Sequence, residues 1–241
     1  MRRRYIVPYL YSMDLKHVLN RGVDKRIIFL DNQDRLRFMH DLFEFNDEAN
    51  VMNNYYAFQK YNAFARHYIE HTNAQKRIPR KLLVDVHAFC LMPNHYHLLL
   101  SERSEKGISR FMKKLNMGYA LYFNKKYERN GALFQGRYKS VPITTNAHFI
   151  HMPYYIHLNP LDLEYPEWRK RELSSVTKAM DFLKTYRWSS HLDYAGIKNF
   201  PSVTQREFLT DYFGGHKKYT DAIKEWLKNM ELETMKPLLL E

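Results

Sequence analysis

Hydrophobic and polar positions along the chain predict three strands in its first hundred residues. Leu15–Asn20 predicts the first strand, and Arg21-Gly22 closes it because glycine suits a turn. Leu82–Cys90 and His95–Leu100 predict two more. Their link, Met92-Pro93-Asn94, favours a tight turn because proline and asparagine both do. The second and third strands therefore form a predicted hairpin.

Helical spacing marks three other stretches. Asp31-Asn32 caps the first predicted helix, which carries Leu36, Met39 and Phe43 on one side. The second predicted helix has an apolar stripe formed by Ile108, Phe111, Met112, Leu115, Tyr119 and Tyr122. The third predicted helix runs from Asn146 to about Leu158 and ends before Pro160, since the residue before proline avoids the α region.

The order of these elements predicts the fold class. Leu133–Ile143, with Gly136 inside it, completes a β-α-β-β-α-β-α order as the fourth strand. That order indicates an α+β fold: a ferredoxin-like (RRM-like) antiparallel sheet, or palm, with additional helices. We expect one domain over residues 1–200, with an insertion at about 46–82, and a C-terminal helical extension over 201–241.

The charge of the chain favours a polyanionic partner. Lys and Arg number 38 against 26 Asp and Glu, a formal net charge of +12. Nucleic acid fits such a balance because each neutralised phosphate releases counterions, and the 15% aromatic content offers stacking surfaces. Many basic proteins bind no nucleic acid. Whether or not this one does, we expect most of its aromatic side chains to be core residues.

Apolar runs and cysteine usage bear on location. The longest apolar runs are far shorter than a bilayer requires, and no apolar segment follows the basic N-terminus. The single cysteine, Cys90, forms no internal disulfide, which fits a reducing cytosol. We therefore expect a cytoplasmic protein with no membrane partner.

His95 and His97 are the first candidate for chemistry. Side chains at i and i+2 of a strand share a face, so the two imidazoles stand side by side. That spacing can place two nitrogens on one metal ion. It is equally typical of two hydrogen-bonded histidines on a strand face, and a zinc hydrolase using this pair would need a further Glu or Cys ligand.

Tyr155 and Asn159 are the second candidate. Residues i and i+4 share a helix face, and a phenol can be a nucleophile while an amide oxygen can bind a metal. A core tyrosine followed by a helix-ending asparagine has the same spacing. Two imidazoles and one amide oxygen leave coordination positions for phosphate and water, which favours Mg²⁺ or Mn²⁺ over a closed zinc site.

Five segments, in order, resemble the bacterial single-tyrosine HUH transposases, and most closely the REP-associated tyrosine transposases. The longest is residues 87–100, HAFCLMPNHYHLLL. The others are HVLNRG at 17–22, FQGRYKS at 134–140, YIHLNP at 155–160 and WSS at 188–190. Residues 46–82 and 161–187 are longer than the family pattern, and Pro153 interrupts the predicted third helix.

The resemblance implies an activity and roles for individual residues. His95, His97 and Asn159 would be metal ligands, and Tyr155 would be the nucleophile of a single-stranded DNA endonuclease and strand transferase. The expected partner is hairpin DNA from palindromic repeats, bound by a nucleoid-associated monomer or homodimer. A domesticated relative that binds hairpin DNA or RNA without cutting is the alternative.

Basic side chains are the candidates for a DNA path. Arg137 and Arg21 each adjoin a glycine, which permits close approach of a backbone. For every one of these residues a solvated surface position is the competing interpretation. The full set of DNA-binding candidates is Arg137, Arg21, Lys139, Lys113 and Lys114.

Overall fold

A four-stranded antiparallel sheet lies at the centre of the computed structural model, which describes residues 14–49, 80–170 and 172–229. Its strands are β1 (Leu15–Arg21), β2 (Val84–Met92), β3 (His95–Glu102) and β4 (Lys139–Pro142). Their order across the sheet is β2-β3-β1-β4, with every pairing antiparallel. This is the split βαβ arrangement, so the predicted α+β fold class is confirmed.

Seven α-helices accompany the sheet in the described part of the chain. Short 3₁₀ segments also occur at residues 23–25, 159–163 and 166–170. No helix among the described residues has both the length and the apolar character to cross a bilayer. The helices are α1 (Asn32–Glu44), α2 (Gly107–Lys126), α3 (Asn146–Leu158), α4 (Val176–Thr185), α5 (His191–Tyr194), α6 (Glu207–Phe213) and α7 (His216–Asn229).

The two faces of the sheet carry separate cores. Val18 and Leu98 point to the face covered by α1 and α2. Leu15 and Leu99 point to the other face, where α3 and the C-terminal helices pack. In β2, an irregularity in pairing at His87 shifts the alternation, so that Val86 belongs to the first core whereas Ala88, Cys90 and Met92 belong to the second. Side chains facing α3 therefore come from three adjacent strands.

Two sequence expectations are corrected by the structure. On α1, Leu36 is exposed and Phe43 half-buried, while Phe38 and Leu42 are buried beside Met39. The buried face also includes polar residues such as Asp34, which shifts the stripe. The predicted fourth strand is too long, because only Lys139–Pro142 is strand.

The segment before β4 is held without continuous strand pairing. Phe134 makes an isolated bridge to Gly22, and the Gln135 amide donates to the Arg21 carbonyl at 2.9 Å. Glycine is required at position 22 because a Cβ there would lie 2.4 Å from the Arg26 carbonyl oxygen. Residues 133–137 therefore lie beside the end of β1 as a loop in which Leu133 and Phe134 are buried and residues 135–137 are exposed.

The helix α3 has the predicted bounds, and Pro153 lies inside it. The Thr145 side chain accepts a hydrogen bond from the His148 amide and so caps its first turn. The helices α6 and α7 pack on α3 in the same core, through Leu209 and Trp226 among others. Much of the predicted 46–82 insertion, and residues 230–241 of the predicted extension, lie outside the described residues.

Two buried histidines predict a pH-dependent stability. Burial lowers the pKa of His87 and of His191 to about 4, because desolvation disfavours the imidazolium form. The unfolded chain takes up these protons first, near the ordinary value of 6.5. Stability is therefore complete above pH 6.5 and declines as the pH falls toward 4. Each histidine accounts for a loss of about 3 kcal/mol when both states are protonated.

Urea unfolding across this pH range measures the effect. His191→Gln removes one of these titrations, so its free energy of unfolding should fall less steeply with acid than that of the wild type. His216→Gln, at an exposed position, should follow the wild-type curve. A variant curve for His191→Gln parallel to that of the wild type would contradict the assignment.

Candidate functional site

The sheet face under α3 brings three histidines together. His95 and His97 alternate with Tyr96 on β3, and His17 lies on the neighbouring strand β1. The rings of His95 and His97 have centroids 4.9 Å apart, and those of His17 and His97 are stacked at 5.2 Å. All three side chains are buried. The two predicted metal ligands therefore lie side by side, with a third imidazole next to them.

Hydrogen bonds orient the two rings of the pair. The Nδ1 atom of His95 lies 2.6 Å from the Asn94 side-chain oxygen, so this nitrogen carries the proton and the lone pair is on Nε2. The Nδ1 atom of His97 lies 2.9 Å from Nε2 of His17. When His97 donates this bond, its lone pair is also on Nε2. A partner on the second nitrogen is the usual support for a metal-binding histidine.

Tyr155 reaches the same histidines from the helix above. Its ring meets His97 edge-on, with centroids 5.9 Å apart, and meets His17 in the same way at 6.2 Å. Its side chain is 0% exposed. The structure thus brings the predicted nucleophile, Tyr155, into contact with His97, one of the two predicted metal ligands. These two residues are 58 positions apart in the chain (155 − 97).

Tyr154 points away from this site. Its ring packs against Phe213, Tyr219 and Trp226 in the core between α3 and the C-terminal helices. Burial among these rings raises the pKa of the Tyr154 hydroxyl above its ordinary value. Of the two adjacent tyrosines, only Tyr155 contacts the histidines in the described structure.

A buried polar network fixes α3 against β2. His157 lies 2.7 Å from the Ser190 hydroxyl, and that hydroxyl accepts a hydrogen bond from the Phe89 amide at 2.9 Å. The other His157 nitrogen lies 2.9 Å from the Tyr219 hydroxyl. The Trp188-Ser189-Ser190 segment runs along the edge of β2, where Ser189 bridges Cys90. This segment therefore positions the helix that carries Tyr155.

Asn159 ends the turn that follows Tyr155. Its side-chain nitrogen, Nδ2, donates a hydrogen bond to the Tyr155 backbone carbonyl oxygen at 2.8 Å. Its side-chain oxygen, the predicted metal-binding atom, accepts a hydrogen bond from the Arg169 guanidinium at 3.1 Å. The guanidinium is in turn paired with Asp162, at 2.6 Å. A carbonyl oxygen has two lone pairs, so Asn159 can still bind a cation while it accepts this bond.

Three side chains of this face carry atoms that could bind a divalent cation. His95 and His97 supply imidazole nitrogens whose second nitrogens are hydrogen-bonded, and Asn159 supplies a carbonyl oxygen. A zinc hydrolase would need a third strong ligand. Within residues 14–49, 80–170 and 172–229, no group of three His, Cys, Asp or Glu side chains could hold a metal ion.

Three of the basic candidates lie near this face. Arg21 is directly opposite His95 in the β1–β3 pairing. Lys139 is opposite Leu19 and shares the alternation of Val141, which packs in the α3 core. Arg137 is exposed in the loop beside the Arg21 backbone. These side chains therefore flank the end of the sheet at which the histidine pair lies.

Lys113 and Lys114 are separate from the site. Both lie on α2, which covers the opposite face of the sheet. The Lys114 ammonium group donates to the Asp47 and Ala49 carbonyl oxygens, so it holds the segment after α1. The structure does not bring these two residues to Tyr155.

His17 and Arg169 are site residues that the sequence reasoning missed. His17 had an available signal, because it shares its alternation with Leu15 and Leu19 on a predicted strand of the sheet. Arg169 had none, since it lies in a 3₁₀ segment with no periodic pattern.

A family model and a solved structure are similar to this chain. Residues 57–159 match the model of a family described as IS200-like transposases. The chain is also similar to a solved structure described as a REP-associated tyrosine transposase bound to a REP hairpin. The TM-score is 0.44 and the identity 14%, covering 78% of this chain and 83% of that one. No curated protein matches the sequence.

Proposed function

We propose that this chain, whose residues 57–159 match the model of the IS200-like transposase family, cuts and rejoins single-stranded DNA beside a hairpin through Tyr155. The observation that carries this proposal is the contact of the Tyr155 ring with His97 across the interface between α3 and the sheet. For this chemistry, the nucleophile and the bound cation must both reach the same phosphate group. A protein that only bound DNA would have no need of that juxtaposition.

The cutting step is a transfer of a phosphodiester. The Tyr155 oxygen attacks phosphorus, and the bond from phosphorus to the 3′ oxygen of the preceding nucleotide breaks. The phenol loses one proton to solvent and the departing 3′ oxygen gains one. The products are a 5′-phosphotyrosine ester and a 3′-hydroxyl. The reverse attack by a 3′-hydroxyl reseals DNA without ATP, because one phosphate ester is exchanged for another.

A divalent cation, held by His95, His97 and Asn159, would neutralise charge on the attacked phosphate. The protein supplies the rest. His17 orients His97, and the hydrogen bond between His157 and Ser190 holds α3 in place above the sheet.

A non-cleaving hairpin-binding protein is the second candidate. It is favoured by the complete burial of Tyr155 and by the bond between Asn159 and Arg169, because both groups are enclosed in this arrangement. The two functions differ in one product. Single-stranded hairpin DNA from the sequences that flank the gene, labelled on the 3′ side of the cut and incubated with Mg²⁺ or Mn²⁺, should give label covalently attached to protein. Binding without attached label would favour the second candidate.

DNA binding should depend strongly on salt. For Z phosphates contacted on a single strand, log K falls with log salt at a slope of about −0.7Z. Arg21 is the best contact candidate, because its Nε atom is buried without a hydrogen-bond partner among the described residues and it lies opposite His95. Arg21→Gln should therefore reduce the slope by about 0.7.

Fluorescence anisotropy with the same hairpin DNA measures this slope. Lys106→Gln is the matched control, since this exposed lysine lies beyond the far end of β3 from His95. Its slope should equal that of the wild type. An affinity that does not change across the salt titration would contradict the phosphate-binding role, and equal slopes for Arg21→Gln and wild type would remove Arg21 from it.

A further inference from the structure

Arg169 lies against the proposed nucleophile although it belongs to none of the five segments that carry the family resemblance. Its Nη1 atom is 3.5 Å from the Tyr155 hydroxyl oxygen. The centre of the guanidinium lies 5.4 Å from the centroid of the Tyr155 ring. The side chain comes from the 3₁₀ segment Pro166–Lys170, inside the stretch that is longer than the family pattern.

The guanidinium is fixed in direction by its other partners. Nε donates to one Asp162 carboxylate oxygen at 2.8 Å, and Nη2 donates to the other at 2.6 Å. Nη2 also donates to Asn159, at 3.1 Å. Trp168 donates from its indole nitrogen to Asp162 at 2.7 Å, which holds the carboxylate in turn. With Nε and Nη2 engaged in this way, the third nitrogen, Nη1, faces the Tyr155 oxygen.

Charge develops at this position during the proposed reaction. The attacking phenol becomes more acidic as it bonds to phosphorus, and the five-coordinate phosphate carries more negative charge than the diester. A guanidinium stays protonated at all relevant pH values and matches phosphate oxygens geometrically. A cation held beside the attacking oxygen stabilises the charge that develops there without having to reorganise during the reaction, so its effect on the transition state is large.

We propose that Arg169 is a catalytic residue that stabilises the negative charge on the Tyr155 oxygen and on the attacked phosphate. Asp162 and Trp168 are the positioning residues that hold its Nη1 edge toward the nucleophile. This proposal rests on the proposed function, and it adds a protein cation to a site whose other cation is the metal. No bond to Arg169 forms or breaks, and it remains protonated throughout.

The test measures the single-turnover rate of adduct formation on the flanking hairpin DNA with Mn²⁺. Arg169→Gln should slow this rate by about 10²–10³-fold, the loss typical of one donor to a developing oxyanion. Hairpin affinity should change far less. Mn²⁺ affinity should fall by less than the rate does, because Arg169 also donates a hydrogen bond to the proposed ligand Asn159. Guanidinium ion added to Arg169→Gly should restore part of the rate, which it would not do for a purely structural arginine. Arg103→Gln is the matched control, because it also removes an arginine paired with an aspartate, Asp85.

The possible outcomes separate this proposal from the proposed function. Absence of adduct with wild-type protein would overturn both. Adduct formed at the wild-type rate by Arg169→Gln would overturn only the role of Arg169. So would a loss of rate matched by an equal loss of hairpin or Mn²⁺ binding, or an absence of guanidinium rescue. If Arg169→Gln does not fold, Arg169→Lys decides: it keeps the charge without the planar fork, and a rate equal to that of the wild type would overturn the proposal.

Discussion

Replacing Tyr155 by phenylalanine should abolish the covalent protein–DNA product while hairpin binding persists. The substitution removes one oxygen, the atom proposed to attack phosphorus. The ring keeps its edge-on contacts with His97 and His17, so the core between α3 and the sheet stays filled. The lost contact to Arg169 is long, at 3.5 Å, and we expect a change in unfolding free energy of about 1 kcal/mol or less.

Tyr154→Phe is the matched control for this prediction. It removes the same oxygen one residue away, from a ring that packs on Phe213 and Tyr219. The measurement is a denaturing gel with DNA labelled on the 3′ side of the cut. Tyr154→Phe should form the adduct nearly as the wild type does. An adduct formed by Tyr155→Phe, or lost in Tyr154→Phe alone, would show that the nucleophile is misassigned.

Removing the His97 imidazole should eliminate both metal binding and metal-dependent cleavage. Loss of a hydrogen-bond partner of a ligand commonly weakens metal binding by about 10–100-fold, so loss of the ligand itself should exceed about 100-fold. Calorimetric titration with Mn²⁺ measures the first effect and adduct formation the second. His216→Ala, at an exposed histidine of α7, should leave both unchanged.

The burial of His97 affects the design of this experiment. The side chain is 0% exposed and packs between His17 and Tyr155. His97→Ala therefore creates a cavity and lowers stability as well. His97→Leu keeps more of the volume and has no metal-binding atom, so a folded His97→Leu variant tests the ligand role alone. Cleavage and Mn²⁺ affinity equal to those of the wild type in this variant would exclude His97 as a ligand.

The fold was predictable wherever local pattern and final environment agree. The six residues of the apolar stripe on α2 are all buried, and α3 has the predicted bounds. The helix α1 was harder because Asp34 lies on its buried face. Asp34 accepts hydrogen bonds from Tyr122 and Lys126 of α2, nearly ninety residues along the chain. Hydrophobic periodicity predicts that such a carboxylate is exposed. The residues that hydrogen-bond to it come from another helix, so the local sequence does not indicate its burial.

The candidate site divides in the same way. His95 with His97, and Tyr155 with Asn159, are pairs close in sequence, so their spacing alone predicted a shared face. The contact of His17 with His97 depends on which strand lies beside β3 and in what register, which the chain does not state locally. Arg169 depends on the path of an irregular segment after α3. Contacts of this second kind become visible only in three dimensions.

Cys90, the single cysteine, lies fully buried on the part of β2 that packs in the core with Tyr155. Since the Tyr155 hydroxyl is enclosed in that core as well, the proposed attack on DNA requires helices on this face to separate from the sheet. The same separation admits a thiol reagent to Cys90. With no second thiol in the chain, the rate of alkylation of the native protein reports the free energy of that opening directly, on a residue that needs no engineering.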